Sequence, residues 1–228
     1  MTTTRKAVLL VGAIVATGAG GQVHATPYTL TTTGAISTGT DALGLFGPAG
    51  GNLTGDAYRL SVEYDASGPN VTTPTFQQVS GPVTGPVTAT VNGISTAIPV
   101  TTSLGALLEA FNNGGSSELL GLQSGTNDAA GQFVSTSQEV FSPTANVTGL
   151  VLASTSYTTQ PADFTAVSFT TSLGFTTTSF DATVSTIDLA VVPEPSSLST
   201  LVAGLLGLAY AFWSRRPFLR RGSDHSAE

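Results

Sequence analysis

Residues 57–64 read Ala57-Tyr58-Arg59-Leu60-Ser61-Val62-Glu63-Tyr64. In an extended chain Tyr58, Leu60, Val62 and Tyr64 share one face, and Ala57, Arg59, Ser61 and Glu63 share the other. A helix would scatter both sets around its circumference, so the segment predicts a half-buried β-strand. On the polar face Arg59 and Glu63 can approach each other along the strand.

The same vocabulary recurs outward from this strand. Thr165 to Phe169 and Thr183 to Leu189 alternate, the second setting Val184, Thr186 and Asp188 against Ser185, Ile187 and Leu189. Val87 to Val91, then Asn92-Gly93, then Ile94 to Val100 predicts a hairpin, because Asn-Gly accepts the positive φ values of a type I′ turn. Leu104 to Phe111 suggests a single short helix, which Asn112-Asn113-Gly114-Gly115 would end. The doubled Gly-Pro-Val-Thr of residues 81–88 reads as an edge or connecting segment, since proline removes ladder donors. Short strands with Gly, Pro and Asn punctuation predict an all-β fold. The expected form is an antiparallel β-sandwich or jelly-roll-like single domain over residues 26–191. A Thr/Ser-rich, partly disordered stalk is the alternative; low charge density and recurrent bulky alternation favour the folded domain.

Between residues 26 and 191 the chain has no cysteine, histidine, lysine, methionine or tryptophan, and Arg59 is its one cation. Acids are scattered through it: Asp41, Asp56, Glu63, Asp65, Glu109, Glu118 and Asp128 among them. Such a body repels phosphate backbones, which excludes nucleic acid as a partner. It holds no disulfide, and catalysis or zinc ligation by His or Cys is closed to it, as is a Ser–Lys dyad. Carboxylates remain, the materials of glycosidases and calcium sites. Asp56 and Asp65 flank the 58–64 strand, and Glu63 and Asp65 share a face. Residues 124–131, Ser-Gly-Thr-Asn-Asp-Ala-Ala-Gly, have the composition of a calcium loop without the acidic spacing of an EF-hand. Against both stands the ordinary role of turn acids, which cap backbone N–H groups. No catalytic residue, metal site or cofactor is expected. Asn52, Asn70 and Asn146 each begin an Asn-x-Thr triplet, and Tyr58, Tyr64 and Tyr157 could stack on sugars or fill the core.

The two ends differ from the body. Arg5-Lys6, the apolar stretch Ala7 to Ala16 and the small-residue site Val23-His24-Ala25 form the three parts of a secretory signal peptide, residues 1–25, with cleavage expected after Ala25. At the other end Val192-Pro193-Glu194-Pro195-Ser196-Ser197 precedes an apolar run, Leu198 to Trp213, and then the basic cluster 215–221 containing Arg215, Arg216, Arg220 and Arg221. Each proline lacks an N–H and biases the residue before it towards extended backbone, so Val192 and Glu194 should be extended. As a helix the apolar run would be about 24 Å long, slightly short of a ~30 Å hydrocarbon core. Trp213 beside clustered arginines fits an interfacial belt and a membrane stop. A polar tail, residues 222–228, follows.

This order of parts resembles the PEP-CTERM sorting signal of bacterial surface and exopolysaccharide-associated proteins. The resemblance covers residues 192–221 and says nothing of the body; the 222–228 extension departs from the family, whose tails more often stop after the basic cluster. It implies processing by an exosortase-like membrane enzyme, transient membrane anchoring through residues 198–213, and then a place at the cell surface or in an extracellular matrix, with polysaccharide as a partner. The expectation is an exported, non-enzymatic surface or matrix protein. A secreted carbohydrate-binding or carbohydrate-active module using surface carboxylates is the alternative.

Overall fold

The computed structural model describes residues 27–64, 70–80, 85–113, 115–144, 147 and 152–192. They are all-β, with no helix among the described residues. The strands are β1 (Tyr28–Asp41), β2 (Gly51–Asn52), β3 (Ala57–Tyr64), β4 (Asn70–Thr73), β5 (Phe76–Ser80), β6 (Val87–Val91), β7 (Ile94–Ile98), β8 (Thr102–Asn113), β9 (Ser116–Asn127), β10 (Gln132–Ser142), β11 (Thr155–Thr158), β12 (Phe164–Leu173) and β13 (Thr176–Val191). They form one antiparallel sheet in the order β4-β5-β8-β9-β10-β12-β13-β1-β3-β6-β7, with β2 on β1 and β11 on β13.

The sheet curls so that its two halves face each other across one core. An added Cβ on Gly121 of β9 would lie 2.4 Å from Leu30 Cδ2 of β1 and 2.6 Å from the Tyr64 hydroxyl of β3, so the halves touch there and only glycine fits. The Thr32 hydroxyl of β1 donates to Gln138 Oε1 of β10 at 2.9 Å, a buried bond between the halves. A run of rings crosses the same interior: Phe46 to Phe169, Phe169 stacked on Phe180, and Phe180 against Tyr58, with centroids 6.1, 5.1 and 5.6 Å apart. Asp41, at the end of β1, is buried and fastens the following loop. Its carboxylate accepts from Leu45 N–H at 2.8 Å, Phe46 N–H at 2.7 Å and the Thr178 hydroxyl at 3.1 Å, which seats Phe46 in the core.

The reading of 57–64 holds: Tyr58, Leu60, Val62 and Tyr64 are all buried. Arg59 and Glu63 share the outer face, but four residues along a strand is about 13 Å, too far for an ion pair. The hairpin expected over 87–100 forms over Val87–Ile98, its second strand stopping before Pro99, with Val91 opposite Ile94 and both turn residues at positive φ, 49° at Asn92 and 83° at Gly93.

Two local readings are corrected. Leu104 to Phe111 lies in β8 and makes no helix. Paired on both sides, with β5 and β9, the segment gains two ladders, where an isolated eight-residue helix is marginal. Asn112 and Asn113 accordingly are the last residues of β8, opposite Ser117 and Ser116, and end no helix. The other correction is the face assignment in 183–189. Val184 is buried together with Ile187 and Leu189, because the β1–β13 register shifts between Thr33↔Thr186 and Gly34↔Val184. Ser185 is the extra residue of a β-bulge, which reverses the in–out alternation. A second shift, between Ile36 and Thr38, does the same on β1, so that Ile36 and Asp41 both point inward.

Candidate functional site

The chain's predicted handling signals meet the body at one place. Tyr28 pairs with Val191, and the Val192 N–H donates to the Pro27 carbonyl at 2.9 Å, so the two ends of the body leave side by side at one pole. Val191 N–H is also held by the Ser154 hydroxyl at 3.0 Å. Of the sorting motif only Val192 belongs to the described residues. Pro193, Glu194, Pro195, Trp213, Arg215, Arg216, Arg220 and Arg221 lie outside them, as does the expected cleavage residue Ala25.

The acids singled out around the 58–64 strand do not assemble in the described part. Glu63 packs over Gly85, two residues before β6, Asp56 closes the turn before β3 through backbone bonds to Ile36 and Leu53, and Asp65 lies outside the described residues. Residues 124–131 are the end of β9 and its turn into β10. Asp128 there accepts from the hydroxyls of Thr102 at 2.5 Å and Thr126 at 2.6 Å, and its N–H donates to Thr101 Oγ1 at 2.8 Å. Those hydroxyl bonds, Thr102's first, hold its carboxyl below the usual carboxylate range. This is a turn acid occupied with its own chain. Among the described residues no three His, Cys, Asp or Glu side chains gather closely enough for a metal ion.

Tyr58 and Tyr64 belong to the core, and burial pushes the Tyr58 phenol up to about 12 and Tyr64 higher still. Neither ring is free to stack on a sugar. Tyr157 is half-buried and donates to Asp163 Oδ2 at 2.8 Å.

The pairing of β5, β8, β9, β10 and β12 creates a surface that these readings missed. Its outer face is laid out in rows. One row runs Phe76, Phe111, Glu118, Phe141, Phe164; the next Gln78, Glu109, Leu120, Glu139, Ala166; a third Ser80, Leu107, Leu122, Ser137, Ser168. Beside the third row lies a shallow depression of about 440 Å³, lined by Leu107, Leu122, Ser124, Ser135, Ser137 and Ser168. Strands are about 4.8 Å apart, so the backbones of Glu109 and Glu139 are roughly 10 Å apart, with Glu118 diagonal to both. Partial burial raises the Glu109 carboxyl above its ordinary value, and Glu118 is raised by burial first, then by repulsion from Glu139 and Glu109. The face can accept hydrogen bonds from hydroxyls or amines, and its rings offer flat apolar area. Sequence reading missed it because taking 104–111 as helix separates Glu109 from its neighbours. The signal was present: Leu107, Glu109 and Phe111 alternate with Leu108 and Ala110.

That crowding has a measurable consequence. The folded-state pKa of Glu118 lies above its unfolded value of 4.5, so its destabilising contribution is full above the folded pKa, shrinks as pH falls through it, and is gone below the unfolded value. Because the group is partly exposed, solvent screening keeps the contribution to roughly 0.5 kcal/mol. Glu118→Gln should therefore stabilise the protein at pH 7 in urea titrations and lose that advantage at pH 3.5. An advantage that grew towards low pH would contradict this electrostatic account.

No protein-family model, no curated protein and no solved structure matches this chain.

Proposed function

We propose that this is an exported, non-enzymatic protein of the cell surface or extracellular matrix: a sandwich-like β body carried between a cleaved signal peptide and a processed C-terminal sorting signal. The observation that supports it most is the exit geometry. The last ladder residue, Val191, and the Val192–Pro27 bond hold the chain in the body up to the residue before Pro193. Pro193 has no N–H with which to extend the ladder, and Pro195 repeats the constraint two residues on, which keeps Glu194 out of the sheet and available to a processing enzyme. Both signals then act from one pole, and the rest of the body projects away from the membrane that holds the tail. In this reading residues 198–213 span the membrane until an exosortase-like enzyme cuts near the Pro-Glu-Pro element, and polysaccharide is the partner after release.

Replacing Pro193-Glu194-Pro195 with three alanines tests this. The wild-type protein should yield a C-terminus near residue 195 by mass spectrometry and leave the membrane fraction, whereas the variant should keep its full tail and stay membrane-held. Identical termini and identical fractionation would refute the sorting reading.

The rows of phenylalanine and glutamate on the outer face favour a second reading, a carbohydrate-binding or carbohydrate-active module using Glu109, Glu118 and Glu139. Binding suits them better than hydrolysis. Glycoside hydrolysis needs one carboxyl kept protonated at neutral pH in a closed site, and these three sit on an open sheet face.

A further inference from the structure

The sheet ends at β7, whose five residues are Ile94-Ser95-Thr96-Ala97-Ile98. Val91 and Ile94 close a two-residue hairpin, and such a closing pair exchanges both backbone bonds. Ile94, Thr96 and Ile98 therefore turn their N–H and C=O groups towards β6, and Ser95 and Ala97 turn theirs outward. Among the described residues no strand pairs with that outward side. The neighbouring loop meets the side-chain face, where the Thr96 hydroxyl donates to the Leu45 carbonyl at 3.1 Å.

Proteins usually guard such an edge with lysine, proline, an inward charge or a bulge. β7 has none of these, and its pairing with β6 runs without a register shift. Its guards are its shortness and Pro99, which follows the strand directly and leaves the outward N–H groups of Ser95 and Ala97 free. The sequence is also self-complementary. Antiparallel pairing about Thr96 sets Ile94 against the second copy's Ile98, Ser95 against its Ala97, and Thr96 against its Thr96. No charges meet, and Ile94, now 47 % exposed, gains an apolar neighbour. Elsewhere two copies of this acidic body would bring like charges together, as on the face of Glu109, Glu118 and Glu139.

We propose that β7 is a self-pairing edge through which two copies of this chain join, antiparallel and two-fold symmetric about Thr96. A two-fold contact uses the same patch on both copies and closes as a dimer. Two five-residue strands make a small interface, below the size of permanent ones, so the pairing is transient in dilute solution and strengthens where copies are held close together. This inference stands on the edge itself and does not depend on how the tail is processed.

The full chain contains no cysteine, so Thr96→Cys gives a single reporter. In the proposed pairing the two residues 96 form a non-hydrogen-bonded pair with Cα atoms about 4.5 Å apart, inside the range a disulfide spans. Under mild oxidation this variant should form covalent dimer about tenfold faster than Thr177→Cys, an exposed position on β13, because pairing raises the effective concentration of the thiols. Adding Ala97→Pro, which removes an outward N–H and no bond to β6, should abolish that advantage. Ser95→Lys, a change at an exposed side chain, should abolish it as well, and it guards against a folding defect in the proline variant. Equal rates for the two cysteine positions would overturn the proposal, and so would an advantage that survives both added substitutions.

Discussion

Leu60→Asp is expected to unfold the body outright. Leu60 has no exposed surface, and it sits mid-strand in β3 between Thr32 of β1 and Ala89 of β6. Losing its apolar burial costs about 2–3 kcal/mol. Placing a carboxyl there without a partner costs several kcal/mol more, whether the group is charged or is forced to hold its proton. Together these approach the 5–15 kcal/mol by which a domain of this size is usually stable. The far-UV circular dichroism of residues 27–192 should show a cooperative thermal transition in the wild type and none in the variant. Arg59→Gln, one residue away on the exposed face, should shift stability by no more than about 0.5 kcal/mol. A cooperative melt for Leu60→Asp within about 1 kcal/mol of wild type would remove Leu60 from the core and with it the inward assignment of Tyr58, Val62 and Tyr64.

That assignment was legible because nothing interrupts the alternation from Ala57 to Tyr64. The same kind of pattern misled in 183–189, where a strict period of two puts Val184 and Ile187 on opposite faces. Both are buried, and Ser185 is what reconciles them. A bulge leaves no mark in local propensity, because it is a mismatch between two strands about 150 positions apart in the chain. The short helix at 104–111 failed for a related reason. Leu, Ala and Glu are good helix formers, but two neighbouring ladders outweigh a propensity difference of a few tenths of a kcal/mol per residue. The outer face of Glu109, Glu118 and Glu139 was hidden by that misreading, since it exists only once β8, β9 and β10 lie side by side. The Asn92-Gly93 turn needed no tertiary information and was read correctly. The proposed sorting motif at Pro193 to Pro195 lies outside the described residues and rests on the sequence alone.

Gly34→Ala is expected to be the most damaging addition of a single methyl group in the central ladder. A Cβ at this position would lie 1.9 Å from the Thr183 carbonyl oxygen and 3.1 Å from Cε1 of Tyr58. The first of these is backbone and cannot rotate away, so either the ladder opens locally or the bulge moves. The bulge is what turns Ile187 and Leu189 inward after Val184. Without it a one-residue slip would expose both, and they are now 0 % and 1 % exposed. It also sets the register that brings Val191 opposite Tyr28 and the Val192 N–H to the Pro27 carbonyl, the point from which both ends of the body depart. The cost should be about 2–4 kcal/mol, at the upper end of what overpacking produces. The neighbouring exchange Ala35→Gly, at an exposed position of the same strand, should cost no more than about 1 kcal/mol. Denaturant titration of both variants separates the effects. A Gly34→Ala protein within about 0.5 kcal/mol of wild type would mean that β1 and β13 do not approach so closely there, and the bulge would lose its place in orienting the end of β13.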